Sequence, residues 1–129
     1  MSALRLAVPT AANRLPRARG AITSLCQELR AEPAIVERVR AAVTEACVIC
    51  IQRADGGNSD SDTFVLEAST AAGELIIRLS DQGGGIEDPE PGQLGYELGL
   101  KLIEELADAH QITGRDEGGT CIEVRFALL

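Results

Sequence analysis

The sequence predicts an α+β fold in two layers, one mixed but mostly antiparallel sheet covered on a single face by helices. Three observations carry that expectation. Short runs near the beginning, middle and end alternate apolar and polar residues with period two, as half-buried strands do. Three longer segments repeat their apolar residues at three- and four-residue steps, as amphipathic helices do. The two patterns follow in the order β-α-α-β-β-α-β-β, a segregation that packs helices against one side of a sheet.

Leu4, Leu6 and Val8 alternate with Ala3, Arg5 and Ala7 before Pro9, which cannot continue a ladder, so the first strand closes there. From about residue 14 to residue 30, Ala18, Ala21, Ile22, Leu25 and Leu29 mark one face of a helix that Glu32-Pro33 ends. A second helix starts near Pro33, where proline is tolerated in the first turn, and turns Ile35, Val36, Val39, Val43, Ala46, Cys47 and Cys50 inward before stopping by Ala54. Residues 55–60 are a polar turn cluster and read as a surface connection. Phe64, Leu66 and Ala68, the Ala72-Gly73 turn, and Leu75 to Leu79 form an antiparallel hairpin ending at Ser80-Asp81. A Gly- and Pro-rich loop runs to Gly95, long enough to cover a ligand. A third helix spans about residues 97–108, and strands at 111–113 and 120–128 complete the chain.

At 129 residues the chain is expected to form one domain, residues 1–129, with no internal repeat or linker. A net charge of −8 opposes phosphate backbones, and with aromatics at 2% and no Trp there is little to stack on bases, so nucleic acid is not an expected partner. No apolar run approaches the roughly 20 residues of a bilayer span, and the start lacks a secretory core, so a cytoplasmic protein without a membrane partner is expected. Cys26, Cys47, Cys50 and Cys121 sit in apolar stretches and read as reduced, buried thiols.

Four stretches, in order, carry the candidate chemistry. They are Ala42-Val43-Thr44-Glu45-Ala46-Cys47 on the second helix, Ser80-Asp81-Gln82-Gly83-Gly84-Gly85-Ile86 after the third strand, Leu98-Gly99-Leu100-Lys101-Leu102-Ile103 on the third helix, and Gly118-Gly119-Thr120 before the last strand. Singly, the glycine turns read as ordinary turns. As an ordered set the four stretches resemble the ATP-binding fold shared by DNA gyrase B, histidine kinases and MutL. Within it they are most similar to the anti-sigma-factor serine/threonine-protein kinase family. The resemblance runs from Leu4 to Phe126.

It implies ATP as cofactor and a role for each matching residue. Glu45 would be the base that takes a proton from an attacking hydroxyl. Asp81 would accept from the adenine amino group, with Gly83 and Gly85 letting the backbone approach the base and Ile86 as a further cofactor-binding residue beside them. Gly99 and Leu100 would open a helix whose N-terminus receives the phosphates, and Thr120 would lie near the adenine. Two positions depart from the family pattern. Four residues after Glu45 the family carries an Asn that holds Mg²⁺, and here Ile49 offers a hard cation no oxygen. Glycines before Gly99 are replaced by Tyr96 and Glu97, which sets an acidic side chain beside a triphosphate.

The resemblance and its departures together imply an anti-sigma-factor-type regulator of bacterial transcription that works by partner switching, with a partly degenerate Mg-ATP site. Its expected partners are a sigma factor, an anti-sigma-factor antagonist protein, or both, with a homodimer as a further expectation. An active serine/threonine kinase acting on the antagonist is the first alternative. A phosphatase-activating or scaffold protein of the same signalling system is the second. Among the remaining residues, Cys47-x-x-Cys50 reads as core because it lies deep in a helix, where no helix N-terminus stabilises a thiolate. His110 reads as a surface residue at a helix end beside Asp108, and Glu104, Glu105 and Asp108 as a solvated face.

Overall fold

The computed structural model describes residues 2–10, 12–53, 59–81, 94–114 and 120–128. The elements are β1 (Ser2–Thr10), a 3-10 turn (Ala12–Arg14), α1 (Leu15–Glu28), α2 (Pro33–Arg53), β2 (Ser59–Ala71), β3 (Glu74–Asp81), α3 (Leu94–Leu106), β4 (Ala109–Gly114) and β5 (Thr120–Ala127). The five strands form one sheet in the order β1-β2-β3-β5-β4. The expected α+β architecture and element order are therefore present.

All four pairings are antiparallel, so the expected mixture of directions narrows to one. The connections explain why. Two helices in succession, α1 then α2, return the chain to the end it left, and β2 runs back along β1. The β3-α3-β4 crossover does produce two strands of the same direction, but β5 is inserted between them and pairs antiparallel with each.

The register sorts the two faces. Leu6, Leu66, Leu79, Ile122 and Ile112 lie side by side across all five strands, and Ala68, Ile77 and Val124 form the next inward row. These rows join Ile22, Val39, Val43 and Ile103 from the helices in one buried cluster with Phe64 and Phe126. Each large side chain so buried contributes about 1.5–3 kcal/mol relative to exposure.

The opposite face carries a row of alternating charge, Arg5, Glu67, Arg78 and Glu123, which ends on Gln111. Arg78 Nε donates to Glu123 Oε1 at 2.7 Å, and Arg125 Nε donates to Glu123 Oε2 at 3.1 Å. The hydrogen bond from Arg78, more than any other influence, holds the Glu123 carboxyl below its usual range. Such pairs on an open face contribute little individually but fit water on one side of the sheet.

Several boundaries differ from the sequence reading. Helix α1 stops at Glu28 because Arg30 takes a left-handed conformation (φ 56°), with Arg30 N–H bonded to Gln27 O and Ala31 N–H to Cys26 O. That paired closure ends the helix before Pro33 is reached. Strand β2 extends back to Ser59, so the last two residues of the expected turn cluster belong to the strand, and Ser59 pairs with Thr10 at the end of β1. Helix α3 begins at Leu94 rather than at residue 97. His110 lies on edge strand β4, exposed, not at a helix end.

Candidate functional site

Asp81 closes strand β3, whose alternation carries Leu75, Ile77 and Leu79 into the core. The last ladder pair between β3 and β5 is Ser80 with Cys121. One step further, the Thr120 backbone N–H donates to Asp81 Oδ1 at 3.2 Å. The side chain thus takes over from the main chain at the point where β3 leaves the sheet. Among the described residues Asp81 and Thr120 are the buried polar ones, 6% and 4% exposed. A carboxylate presents about four acceptor positions, and the Thr120 N–H takes one of them and orients the group.

The second cluster lies where α2 meets α3. Glu45 and Ile49 are one turn apart on α2 and share a face. Gly99 of α3 faces both: a Cβ there would stand 3.4 Å from Ile49 Cδ1 and 3.5 Å from Glu45 Oε2. The missing side chain lets α3 lie against that face. Ile49 is 1% exposed and belongs to the hydrophobic cluster, while Glu45 is half-buried.

These two clusters answer differently to the cofactor the resemblance implies. A buried, oriented carboxylate fits the amino group of a purine. Ile49 does not fit Mg²⁺: it offers a hard cation no oxygen, and its hydrocarbon lies against Gly99 at the position where the resemblance implies an amide ligand. Among the described residues, no group of three or more His, Cys, Asp or Glu side chains could hold a metal ion.

Of the remaining site residues, Leu100 is half-buried against the core. Gly99 and Leu100 lie in the second turn of α3, beyond the first four residues whose N–H groups have no intrahelical acceptor. Gly83, Gly85 and Ile86 lie outside the described residues, as do Gly118, Gly119 and the side chains of Tyr96 and Glu97. Cys47 and Cys50 are buried and not disulfide-bonded, and burial pushes the Cys47 thiol up to about 12, which keeps it protonated and unreactive. Two arginines outside the four stretches, Arg19 and Arg40, line a groove between α1 and α2. Their signal in the sequence is a stripe of small and polar residues at helical spacing on α1.

Over residues 8–126 the sequence matches the family described as histidine kinase-like ATPase domain. No curated protein matches it. Similar solved structures include the RsbU and RsbW domains of a Mycobacterium tuberculosis protein (TM-score 0.75, 17% identity), where the match covers 97% of this chain and 31% of that one. A SiaB-SiaC complex from Pseudomonas aeruginosa is similar at TM-score 0.75 and 11% identity, over 97% of this chain and 89% of that one. The histidine kinase domain of a blue-light activated kinase from Erythrobacter litoralis follows at TM-score 0.58 and 21% identity, over 93% and 61% respectively. The chain therefore spans less than a third of the Mycobacterium chain, and at these identities the likeness is one of fold. No helix among the described residues is long and apolar enough to cross a membrane.

Proposed function

Because the chain belongs to the histidine kinase-like ATPase domain family, we propose that it acts as a partner-switching regulator of the anti-sigma-factor type. Its output is protein binding, and it reads a nucleotide through the purine rather than transferring phosphate. The observation that carries this reading is Ile49, 1% exposed and packed on Gly99 where the family resemblance places a metal ligand. Without an oxygen there, the protein contributes nothing at that position to hold the ion that would bridge the phosphates, and Glu45 has no aligned phosphoryl group to work on.

Asp81 supports the nucleotide half of the reading. Its carboxylate is buried and already oriented by Thr120, so an incoming amino group meets a preformed acceptor. The protein-binding half is supported by the four-stretch resemblance and by the company of the similar folds. One is an RsbW domain joined to an RsbU domain, and another is half of a two-protein complex. In this reading the partner is a sigma factor or the antagonist that competes for it.

The test combines the purified chain with sigma factors and antagonist domains from its own genome, and measures complex formation with radiolabelled ATP and Mg²⁺ present. The expected result is a stoichiometric complex with no label on the partner. Label appearing on a serine or threonine of the antagonist would establish the kinase reading instead.

A further inference from the structure

Helix α3 is apolar on more of its circumference than the core covers. Ile103 is fully buried, and Leu100 and Leu106 pack against the core beside it, so these three occupy the inward face. Leu98 and Leu102 stand one turn apart on a different face and are 52% and 41% exposed. Among the described residues they are the exposed large hydrophobic side chains. They fall on one stripe rather than singly, and adjacent exposed apolar side chains with a polar border mark a contact surface.

The residues beside the stripe set its charge. Gly99, between the two leucines in sequence, is where α3 meets α2, and Glu45 Oε2 lies 3.5 Å from the place of a Cβ there. Glu45, half-buried, therefore borders the stripe on the α2 side. Glu105, exposed, follows Leu102 by three residues and shares its face. Neither carboxylate has an ion-pair partner among the described residues. Arg38 of α2 is already engaged, with Asp108 Oδ1 at 3.8 Å and Leu106 O at 3.5 Å. Lys101, three residues after Leu98, is the cation on this stretch of α3. Two carboxylates against one lysine leave the border acidic, in a chain whose net charge is −8. A second copy of the chain fits such a surface poorly, because a two-fold axis through the leucines would bring the same carboxylates together.

We propose that Leu98 and Leu102 anchor an amphipathic helix of a partner protein whose apolar stripe is bordered by lysine or arginine, laid along α3 with its cations over Glu45 and Glu105. Helix-on-helix docking of this kind reads anchors at three- and four-residue spacing. The charged border fixes orientation and speeds encounter. The inference rests on the protein-binding half of the proposed function and names the surface and the partner chemistry for it. Asp81 takes no part.

The test uses the full chain and a fluorescein-labelled peptide of about 18 residues, long enough to hold a helix, with leucines at helical spacing and lysines elsewhere. A second peptide of the same composition, its leucines scattered around the helix, measures the effect of charge alone. Saturable anisotropy is expected with the first, at least about tenfold tighter than with the second. Leu98→Gln with Leu102→Gln keeps the charge and tolerates a helix, so it should fold with an unchanged thermal midpoint and lose at least about tenfold in affinity. Glu105→Gln should weaken binding severalfold at low salt and have little effect at high salt. No saturable binding, equal affinity for the two peptides, or affinity that survives the double leucine substitution would overturn the proposal. So would a dimer of the unaltered chain that the same substitution splits. The double variant also separates this surface from the reading it rests on. A complex with a sigma factor or antagonist that forms and survives the substitution overturns the surface and leaves partner switching standing, whereas specific peptide binding without any such complex does the reverse.

Discussion

The Thr120 backbone N–H donates to Asp81 Oδ1 one register step beyond the last ladder pair of β3 and β5, so the carboxylate proposed to accept from the purine also terminates the pairing of these strands. The two roles separate by substitution. Asp81→Asn keeps an oxygen for Thr120 and should change stability by less than about 1 kcal/mol, while nucleotide affinity falls at least about tenfold, or 1.4 kcal/mol. Asp81→Ala also strands the buried N–H and should lose about 1–3 kcal/mol in denaturant unfolding. Equal stability of the two variants would contradict the terminator role.

Ile49 binds α2 to α3 through Gly99, and replacing it exposes the trade between packing and metal binding. Ile49→Asn removes buried hydrocarbon and adds a polar group to the core, with an expected cost of about 3 kcal/mol by chemical denaturation. Combined with Glu97→Gly, the same change should tighten ATP binding in the presence of Mg²⁺, read by calorimetry. A folded double variant with no gain would count against degeneration at these two positions.

Arg30 (φ 56°) and Ala72 (φ 52°) are non-glycine residues in left-handed conformations, one closing α1 and the other beside Gly73 (φ 78°) in the β2–β3 turn. Side chains with a Cβ are strained there by about 1–2 kcal/mol, and glycine or asparagine relieves it. Arg30→Gly and Ala72→Asn should each raise the thermal midpoint by a few degrees, without altering ligand binding. A fall in midpoint would mean that these turns differ from the ones described.

The Cys47 thiol, raised by burial to about 12 from an ordinary value near 9, ties stability to alkaline pH. The native state holds a proton that the unfolded chain releases, so the contribution is intact below pH 9 and is lost as pH rises from 9 towards 12. The decline should approach about 1.4 kcal/mol per pH unit. Urea unfolding at a series of pH values should show this fall, and Cys47→Ala should make it shallower although it lowers stability at neutral pH. An unchanged slope in the variant would place the titration elsewhere.

Much of this was legible in the sequence where local pattern decides the outcome. The period of Val39, Val43, Ala46 and Cys50 predicts α2, and the apolar run from Leu75 to Leu79 that ends at Ser80-Asp81 marks the carboxylate at a strand end. What one sequence does not display is pairing over distance. The insertion of β5 between β3 and β4, the charge row from Arg5 to Glu123, and the meeting of Ile49 with Gly99 all depend on register and helix packing. The stop at Arg30 was hidden because arginine is not the residue that a left-handed closure normally selects. Arg19 and Arg40 carry no signal as a pair because their groove needs two helices to exist.

The central claim is that nucleotide recognition here is by purine and not by metal. Calorimetric titration of the wild-type chain with ATP, with and without Mg²⁺ at matched ionic strength, tests it most directly. The account predicts binding of similar affinity in both arms, lost in Asp81→Asn. Tightening of tenfold or more on adding Mg²⁺ to the unaltered protein would contradict it.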